Sequence, residues 1–287
     1  MSTYTFDYAR AQSVDEALTL LAGHDGEARL LAGGHSLIPA MKLRLTAPTL
    51  LIDVSGLEDL AAVTLDGGHL AIGALTTHRA VETSELVRTH CPALAEAAAG
   101  IGDPQVRNRG TIGGSLAHAD PAADYPALVL ALDAEIEMTS RDGTRTVSAD
   151  DFFVDMYTTA LAAHEMLTRV RIPVLGHGEG AAYAKFANPA SRYAVVGVAA
   201  KVSLADGTCR AARVAVTGAA PKAFRATAVE RRLAGRPLTE AVIAEAVRGL
   251  ADPNELLSDL SGSAEYRAHL CEVMATRALR EAAARAA

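Results

Sequence analysis

A chain of 287 residues, half of them hydrophobic, has enough apolar material for two or three packed units rather than one small core. A formal charge of −7 speaks against a phosphate backbone as the main partner, and aromatics at 4% with no Trp leave few platforms for stacking bases. Cys91, Cys209 and Cys271 lie far apart without C-x-x-C spacing, which excludes an iron–sulfur cluster or structural zinc built from them alone. The longest apolar runs, 127–132 and 193–200, are too short for a membrane span, and no charged-then-apolar leader is seen, so a soluble cytoplasmic protein is expected.

In chain order, the alternation of Tyr4-Thr5-Phe6-Asp7-Tyr8 predicts a short edge strand, and Ser13-Val14-Asp15-Glu16 reads as a capping box opening a helix on Ala17, Leu18 and Leu21. Residues 28–31 form a compact apolar strand that runs into Ala32-Gly33-Gly34-His35-Ser36, followed by a helical turn over 37–42. Strands are expected at 49–54 and 69–73, the second entered through Asp66-Gly67-Gly68. Thr77 caps a helix across 79–82, and another helix covers 92–99. Residues 101–109 break the period and deliver Thr111-Ile112-Gly113-Gly114-Ser115; Asp120-Pro121-Ala122-Ala123-Asp124 then precedes a helix over 126–132. Asp142-Gly143 turns a hairpin between 135–139 and 145–147. A strand over 165–172 ends at Pro173, and 174–180 reads as the linker. Beyond it, 181–186, 193–204 and 214–216, with a turn at Asp206-Gly207, predict a small antiparallel sheet. Apolar residues then recur at helical spacing at Val229 and Leu233, at Val242, Ile243, Val247 and Leu250, and at Tyr266, Leu270, Val273 and Met274. Three helices over one face of the sheet follow, the alanine-rich tail reading as a fraying helix end.

The two glycine-bearing turns carry the functional reading. Each offers consecutive backbone N–H groups with almost no side chain in the way, which is what lets a phosphate approach a main chain. One Gly-Gly pair is a plain turn; two suggest a clamp that holds a diphosphate from two sides without a lysine. Strand, turn and helix start at 28–42 form an anion seat, and the hydroxyls of Ser36, Thr111 and Ser115 add donors. No G-x-S-x-G elbow and no G-x-G-x-x-G after the first strand occur, and His164-Glu165 is not H-E-x-x-H. His35 and His118 flank the turns without metal-ligand spacing and read as structural or partly exposed. Asp124 suits either a helix N-cap before Pro126 or a cofactor contact. Tyr193 reads as packing at the head of a strand, Lys185 as a surface lysine or as a positive charge set near a cofactor, and Arg107 and Arg109 as a solvated face or a partner contact, with phosphate binding the minority reading.

Four strings, AGGHSLIPAMKLRL at 32–45, RNRGTIGGSLAHADPAAD at 107–124, EMLTRVRIP at 165–173 and GSAEYRAHL at 262–270, make the sequence similar over nearly its whole length to a known family. It resembles the FAD-binding medium subunits of the molybdenum hydroxylases, the xanthine dehydrogenase and aerobic carbon monoxide dehydrogenase family, and within them the carbon monoxide dehydrogenase branch. The resemblance implies an α+β chain with a vanillyl-alcohol-oxidase/PCMH-type FAD-binding domain over 1–176, in subdomains of about 1–57 and 58–176. A C-terminal domain over 177–287 would hold an antiparallel sheet covered by three helices.

By the same resemblance, FAD sits on this chain with its pyrophosphate against Ala32, Gly33, Gly34, His35, Ser36 and Leu37 and against Thr111, Ile112, Gly113, Gly114 and Ser115. Asp124 would hydrogen-bond the cofactor; Leu167 and Tyr193 would lie near the flavin ring, and Lys185 would place positive charge there. A large partner subunit would hold the molybdenum cofactor and a small one two [2Fe–2S] clusters, in a dimer of heterotrimers. Electrons would enter FAD from the small subunit and leave to an external acceptor, with no catalytic residue or metal ligand on this chain. Lys185-Phe186-Ala187-Asn188-Pro189-Ala190-Ser191-Arg192-Tyr193 departs from the family's Lys-Leu-Lys-Arg-like basic run near the flavin, leaving its potential, its oxygen reactivity and the substrate open. Two other readings stand beside this one: a stand-alone flavin oxidase or reductase with its own small substrate, and an FAD-free interaction module of the same fold.

Overall fold

A computed structural model describes residues 2–24 and 26–287. Strand β1 (Asp7–Arg10), helix α1 (Val14–Ala22), strand β2 (Ala28–Leu31), helix α2 (Leu37–Lys42) and strand β3 (Leu50–Asp53) build a three-stranded parallel sheet of order β1-β3-β2. Strand β1 starts later than the alternation at 4–8 predicts, because pairing begins at Asp7 opposite Leu50; Tyr4 and Tyr8 remain exposed. Ser13 Oγ accepts from the Glu16 amide at 3.1 Å, as a capping box requires, but the Glu16 carboxylate accepts from the Gln12 amide instead of that of Ser13. Ala17, Leu18 and Leu21 of α1 pack with Leu50, Ile52 and Val54 in a separate small core.

The middle of the chain forms a second sheet. Strands β4 (Val63–Asp66) and β5 (His69–Gly73) are followed by helices α3 (His78–Thr83), α4 (Glu85–His90), α5 (Pro92–Ala99), α6 (Pro104–Arg107), α7 (Ile112–His118) and α8 (Tyr125–Ala131). Then come β6 (Glu135–Ser140), β7 (Gly143–Ser148), the one-turn α9 (Ala149–Phe152), the small pair β8 (Phe153–Asp155) and β9 (Thr158–Thr159), and β10 (Met166–Pro173). The sheet is antiparallel, of order β4-β5-β10-β6-β7. Every residue of α8 is buried, and α5 buries Ala93, Leu94, Ala95, Ala97 and Ala98, so these two helices form the centre of the largest core.

The third sheet is β11 (Glu179–Ala187), β12 (Ala194–Ala205), β13 (Thr208–Thr217) and β14 (Phe224–Arg225), antiparallel in that order. It begins inside the predicted linker, and β13 is far longer than the predicted 214–216 because its polar first half still pairs with β12 across a bulge at Ser203/Leu204. Alternation assigns its two faces. Ala182, Val198, Ala200, Val214 and Val216 pack under helices α10 (Thr227–Leu233), α11 (Glu240–Ala246) and α12 (Ala264–Ala286). Ala181, Ala199 and Ala215 join the core of α5 and α8, their small side chains allowing a close approach. The alanine-rich tail is a docked helix, not a frayed end: Ala282 and Ala286 are buried, a Cβ on Gly180 would collide with the Ala282 carbonyl, and Arg285 donates to the Ala181 carbonyl and to Glu96.

Candidate functional site

The two glycine turns touch. A Cβ on Gly33 would fall inside the Arg109 carbonyl oxygen and lie 2.7 Å from the Gly110 Cα, so the turns can only meet at this closeness with glycine at 33. Gly34 follows with φ +75, a left-handed conformation that a glycine adopts without strain. Gly110 is fixed in turn: its amide donates to the Val106 carbonyl at 2.7 Å and its carbonyl accepts from the His78 amide at 2.8 Å. Gly113 packs against the end of β5, where a Cβ would lie 2.5 Å from that of Ala74.

The turns differ in what they offer a ligand. Among the described residues, the amides of Gly33, Gly34, His35, Ser36 and Leu37 donate to no protein acceptor, and Ser36 precedes α2 without making a side-chain cap bond. Five consecutive N–H groups are therefore available, next to the Ser36 hydroxyl that Tyr193 faces. In the second turn the amides are engaged: Ile112 donates to Thr76 O, Gly113 to Ala74 O, Gly114 to Thr111 Oγ1 and Ser115 to Thr111 O, at 2.9–3.1 Å. Helix α7 starts here, capped by Thr111, and Thr111 also bridges to Thr77, so backbone pairing consumes the donors that sequence reading assigned to a ligand. The second turn contributes a fixed wall and the hydroxyls of Thr111 and Ser115. The Ile112 side chain points into the core, fully buried beside Leu116.

The bend at 120–124 brings the third sheet to this place. Thr217 Oγ1 donates to the carbonyls of Pro121 and Ala123, the Gly218 amide to Pro121 O at 2.7 Å, and the Ala194 amide to Ala122 O at 3.1 Å. Tyr193, 42% exposed, thereby faces Ser36 with its hydroxyl, and its partial burial and the carboxylate of Asp120 push its pKa up. Leu167 is buried on β10 at the bulge where the Thr168 carbonyl accepts from the Ala74 amide, next to the second turn.

Other residues sit differently from their sequence readings. Asp124 occupies the N-cap position of α8 but makes no cap bond; its carboxylate accepts from the Tyr183 hydroxyl at 2.6 Å and pairs with Lys185 Nζ at 2.9 Å. Burial pushes the Asp124 pKa up, opposed by the Lys185 charge. Lys185 is no surface lysine: its side chain is 10% exposed. Arg107 is not a solvated arginine either, since it is held by Glu82 at 3.0 Å and by the Ile101 and Gly102 carbonyls. His35 is exposed, while His118 is half-buried with its ring centroid 5.1 Å from that of Tyr157. Sequence reading missed the buried pair under both turns, in which His78 Nδ1 meets the Tyr125 hydroxyl at 3.2 Å. Desolvation pushes the His78 pKa down to about 4. A Cβ on Gly110 would lie 2.6 Å from His78 Nε2, and nothing in the spacing of 78, 110 and 125 signals this. Among the described residues no group of three or more His, Cys, Asp or Glu is placed to hold a metal ion.

This geometry fits a dinucleotide diphosphate: a run of unpaired amides beside a glycine contact that no Cβ could enter, the capped start of α7 next to it, and a tyrosine at the margin. Comparison with known proteins agrees. Residues 4–175 match the family described as FAD binding domain in molybdopterin dehydrogenase, and residues 181–282 match the CO dehydrogenase flavoprotein C-terminal domain. The chain is 40% identical over 285 residues to the carbon monoxide dehydrogenase medium chain of Hydrogenophaga pseudoflava, covering 98% of both. It is 39% identical over 287 residues to the 6-hydroxypseudooxynicotine dehydrogenase complex subunit alpha of Paenarthrobacter nicotinovorans, covering 100% of this chain and 97% of that one. A solved structure of the Hydrogenophaga pseudoflava carbon monoxide dehydrogenase, in a form lacking the Mo-pyranopterin moiety, superposes with a TM-score of 0.96 at 40% identity and covers both chains completely. The fold is thus the α+β, PCMH-type FAD-binding fold, and the chain belongs to the family of FAD-binding medium subunits of the molybdopterin dehydrogenases.

Proposed function

We propose that this chain holds FAD by its diphosphate at the junction of the two glycine turns and serves as the electron-transfer subunit of a heterotrimeric molybdenum hydroxylase. The observation that carries the reading is the unpaired run of amides from Gly33 to Leu37, set against a turn that only a glycine can approach. Ala32, Gly33, Gly34, His35, Ser36 and Leu37 provide the donor side through their main chain and the Ser36 hydroxyl. Thr111 and Ser115 supply hydroxyls opposite, while Ile112, Gly113 and Gly114 hold that wall in shape. Leu167 and Tyr193 border the ring, Tyr193 limiting access of water to it. Bound FAD supplies two-electron and one-electron redox chemistry, and the chain's own task is to bind, orient and shield it.

The partners in this proposal are a large subunit with the molybdenum cofactor and a small subunit with two [2Fe–2S] clusters, assembled as a dimer of heterotrimers. Support comes from relatives named as a medium chain and as a subunit of a dehydrogenase complex. Those two relatives carry different substrates in their names at nearly equal identity to this chain, so the substrate is selected elsewhere in the complex. We place the division between the FAD-binding part and the C-terminal part at 176/177 and the complex in the cytoplasm. No helix among the described residues is long and apolar enough to cross a membrane.

Titration of the purified chain with FAD, FMN and riboflavin tests the site. Two charge-assisted hydrogen bonds at about 1.5 kcal/mol each make riboflavin about 100-fold weaker than FAD, with FMN between. Equal affinities would remove the diphosphate from the account. Purified alone, the chain should leave its flavin oxidised when offered substrate and should reduce it only with its partners; reduction without them would make it a stand-alone enzyme.

A further inference from the structure

We propose that Lys185 is a positioning residue that anchors the turn carrying Tyr193, and that it presents no charge to the flavin; the proposal rests on the FAD site described above. A lysine ammonium has three donors and no more. Lys185 Nζ reaches three acceptors: the Gly100 carbonyl at 3.0 Å, the Arg192 carbonyl at 2.9 Å and Asp124 Oδ1 at 2.9 Å. No N–H is left for a cofactor oxygen, and the charge is neutralised by a carboxylate that is itself 5% exposed.

The arrangement follows from strand alternation. Tyr183 and Lys185 are two apart on β11 and point to the same face, toward the bend that ends in Asp124. The Tyr183 hydroxyl fits there because residue 197 is glycine, a Cβ at that position colliding with it. On the other side of Lys185 lies the turn from Asn188 to Tyr193, which joins β11 to β12. Inside the turn, the Asn188 amide donates to the Tyr193 carbonyl and the Arg192 amide to the Asn188 carbonyl, both at 2.8 Å, while Asn188 Oδ1 accepts from the amides of Ala190 and Ser191. Arg192 pays for this closure with φ +62, a left-handed conformation unfavourable for a side chain with a Cβ. Its carbonyl is clamped from outside by Lys185, one residue before the tyrosine that faces Ser36. Lys185 therefore ties α5, the Asp124 bend and the Tyr193 turn to one point.

The test uses the full chain with its partners and, in parallel, the chain alone. In K185M, trypsin cleavage after Arg192 should accelerate at least tenfold. The flavin fluorescence should rise to the level of Y193A, and the flavin midpoint potential should match that of Y193A. If K185M fails to fold because Asp124 is left buried and unpaired, the double variant D124N/K185M removes both charges. It should show the same cleavage and fluorescence, since the Arg192 carbonyl has still lost its donor. A foldable lysine variant with wild-type cleavage and fluorescence, or one whose potential falls while both stay unchanged, would overturn the proposal and make Lys185 a cation facing the flavin. Cleavage after Arg192 is read without flavin as well, so a wild-type chain that binds no FAD would sink the site reading while leaving this test intact.

Discussion

Replacing Gly33 by alanine puts the central contact under direct stress. The added methyl would sit inside the Arg109 carbonyl oxygen and 2.7 Å from the Gly110 Cα, where carbon atoms prefer about 3.5 Å or more. The turns must then separate by about 1 Å. Arg109 and Gly110 cannot yield easily, because the Gly110 backbone is bonded on both sides, to Val106 and to His78. Overpacking of this kind costs about 1–3 kcal/mol of stability. A diphosphate bridging the two turns would keep its bonds to the Gly33–Leu37 amides and lose at least one charge-assisted bond across the gap, about 1.5–3 kcal/mol, or roughly 10- to 150-fold in affinity. Fluorescence titration with FAD measures the affinity, and thermal unfolding measures the stability. Gly67→Ala provides the control, since that glycine has nothing within 4 Å of a new Cβ and its strain at φ +54 is local to a hairpin turn. If Gly33→Ala binds FAD within twofold of wild type while remaining folded, the two turns do not hold the diphosphate together.

Ser36→Ala should weaken FAD about tenfold with less than about 0.5 kcal/mol change in stability, because this hydroxyl caps no helix; a clear stability loss with unchanged FAD affinity would reverse its role. His78 gives the site a pH limit. Its pKa is pushed down to about 4 by desolvation, with the nearby His35 and Arg107 charges adding to it, whereas the unfolded chain titrates it near 6.5. Between those values the unfolded state binds the extra proton, so stability is present above pH 6.5 and is lost as pH falls toward 4, by about 3 kcal/mol. Urea unfolding across that window should show this loss in wild type relative to His78→Phe, and parallel curves would refute it. Arg267 is 3% exposed and donates to the Val195 and Gly218 carbonyls, both at 2.6 Å, and to Asp259. Arg267→Met should destabilise the third sheet by about 3 kcal/mol or more in denaturant unfolding; a change under 1 kcal/mol would show that those carbonyls find other partners.

What could be read from the sequence was local chemistry. The glycine turns were visible because close backbone approach excludes a Cβ whatever surrounds it, and the helix starts at Ser13 and Thr77 because a cap is a bond between near neighbours; the helix that Thr111 caps was not read, because its first residues are the glycine turn itself. Elements whose signal lies in pairing were missed or shortened. Strand β4 exposes Thr64, Leu65 and Asp66 and shows no alternation, and α4 buries only Val87. The polar half of β13 exists because β12 extends far enough to pair with it. Long-range side-chain partners left no trace: Arg107 reads as a solvated face or a partner contact until Glu82 closes on it, and neither reading of Asp124, as a cap or as a cofactor contact, shows the bonds that Tyr183 and Lys185 bring from another sheet. The engaged amides of Ile112 and Gly113 were hidden for the same reason, since their acceptors, Thr76 and Ala74, lie on a different segment, whereas those of Gly114 and Ser115 turn back to Thr111.

The most direct test is a crystal structure of the chain with FAD bound. The account predicts diphosphate oxygens within about 3.2 Å of the amide nitrogens between Gly33 and Leu37, with Thr111 or Ser115 reaching the cofactor from the facing turn. A diphosphate bound away from the Gly33–Gly110 contact, with those amides facing only water, would contradict it.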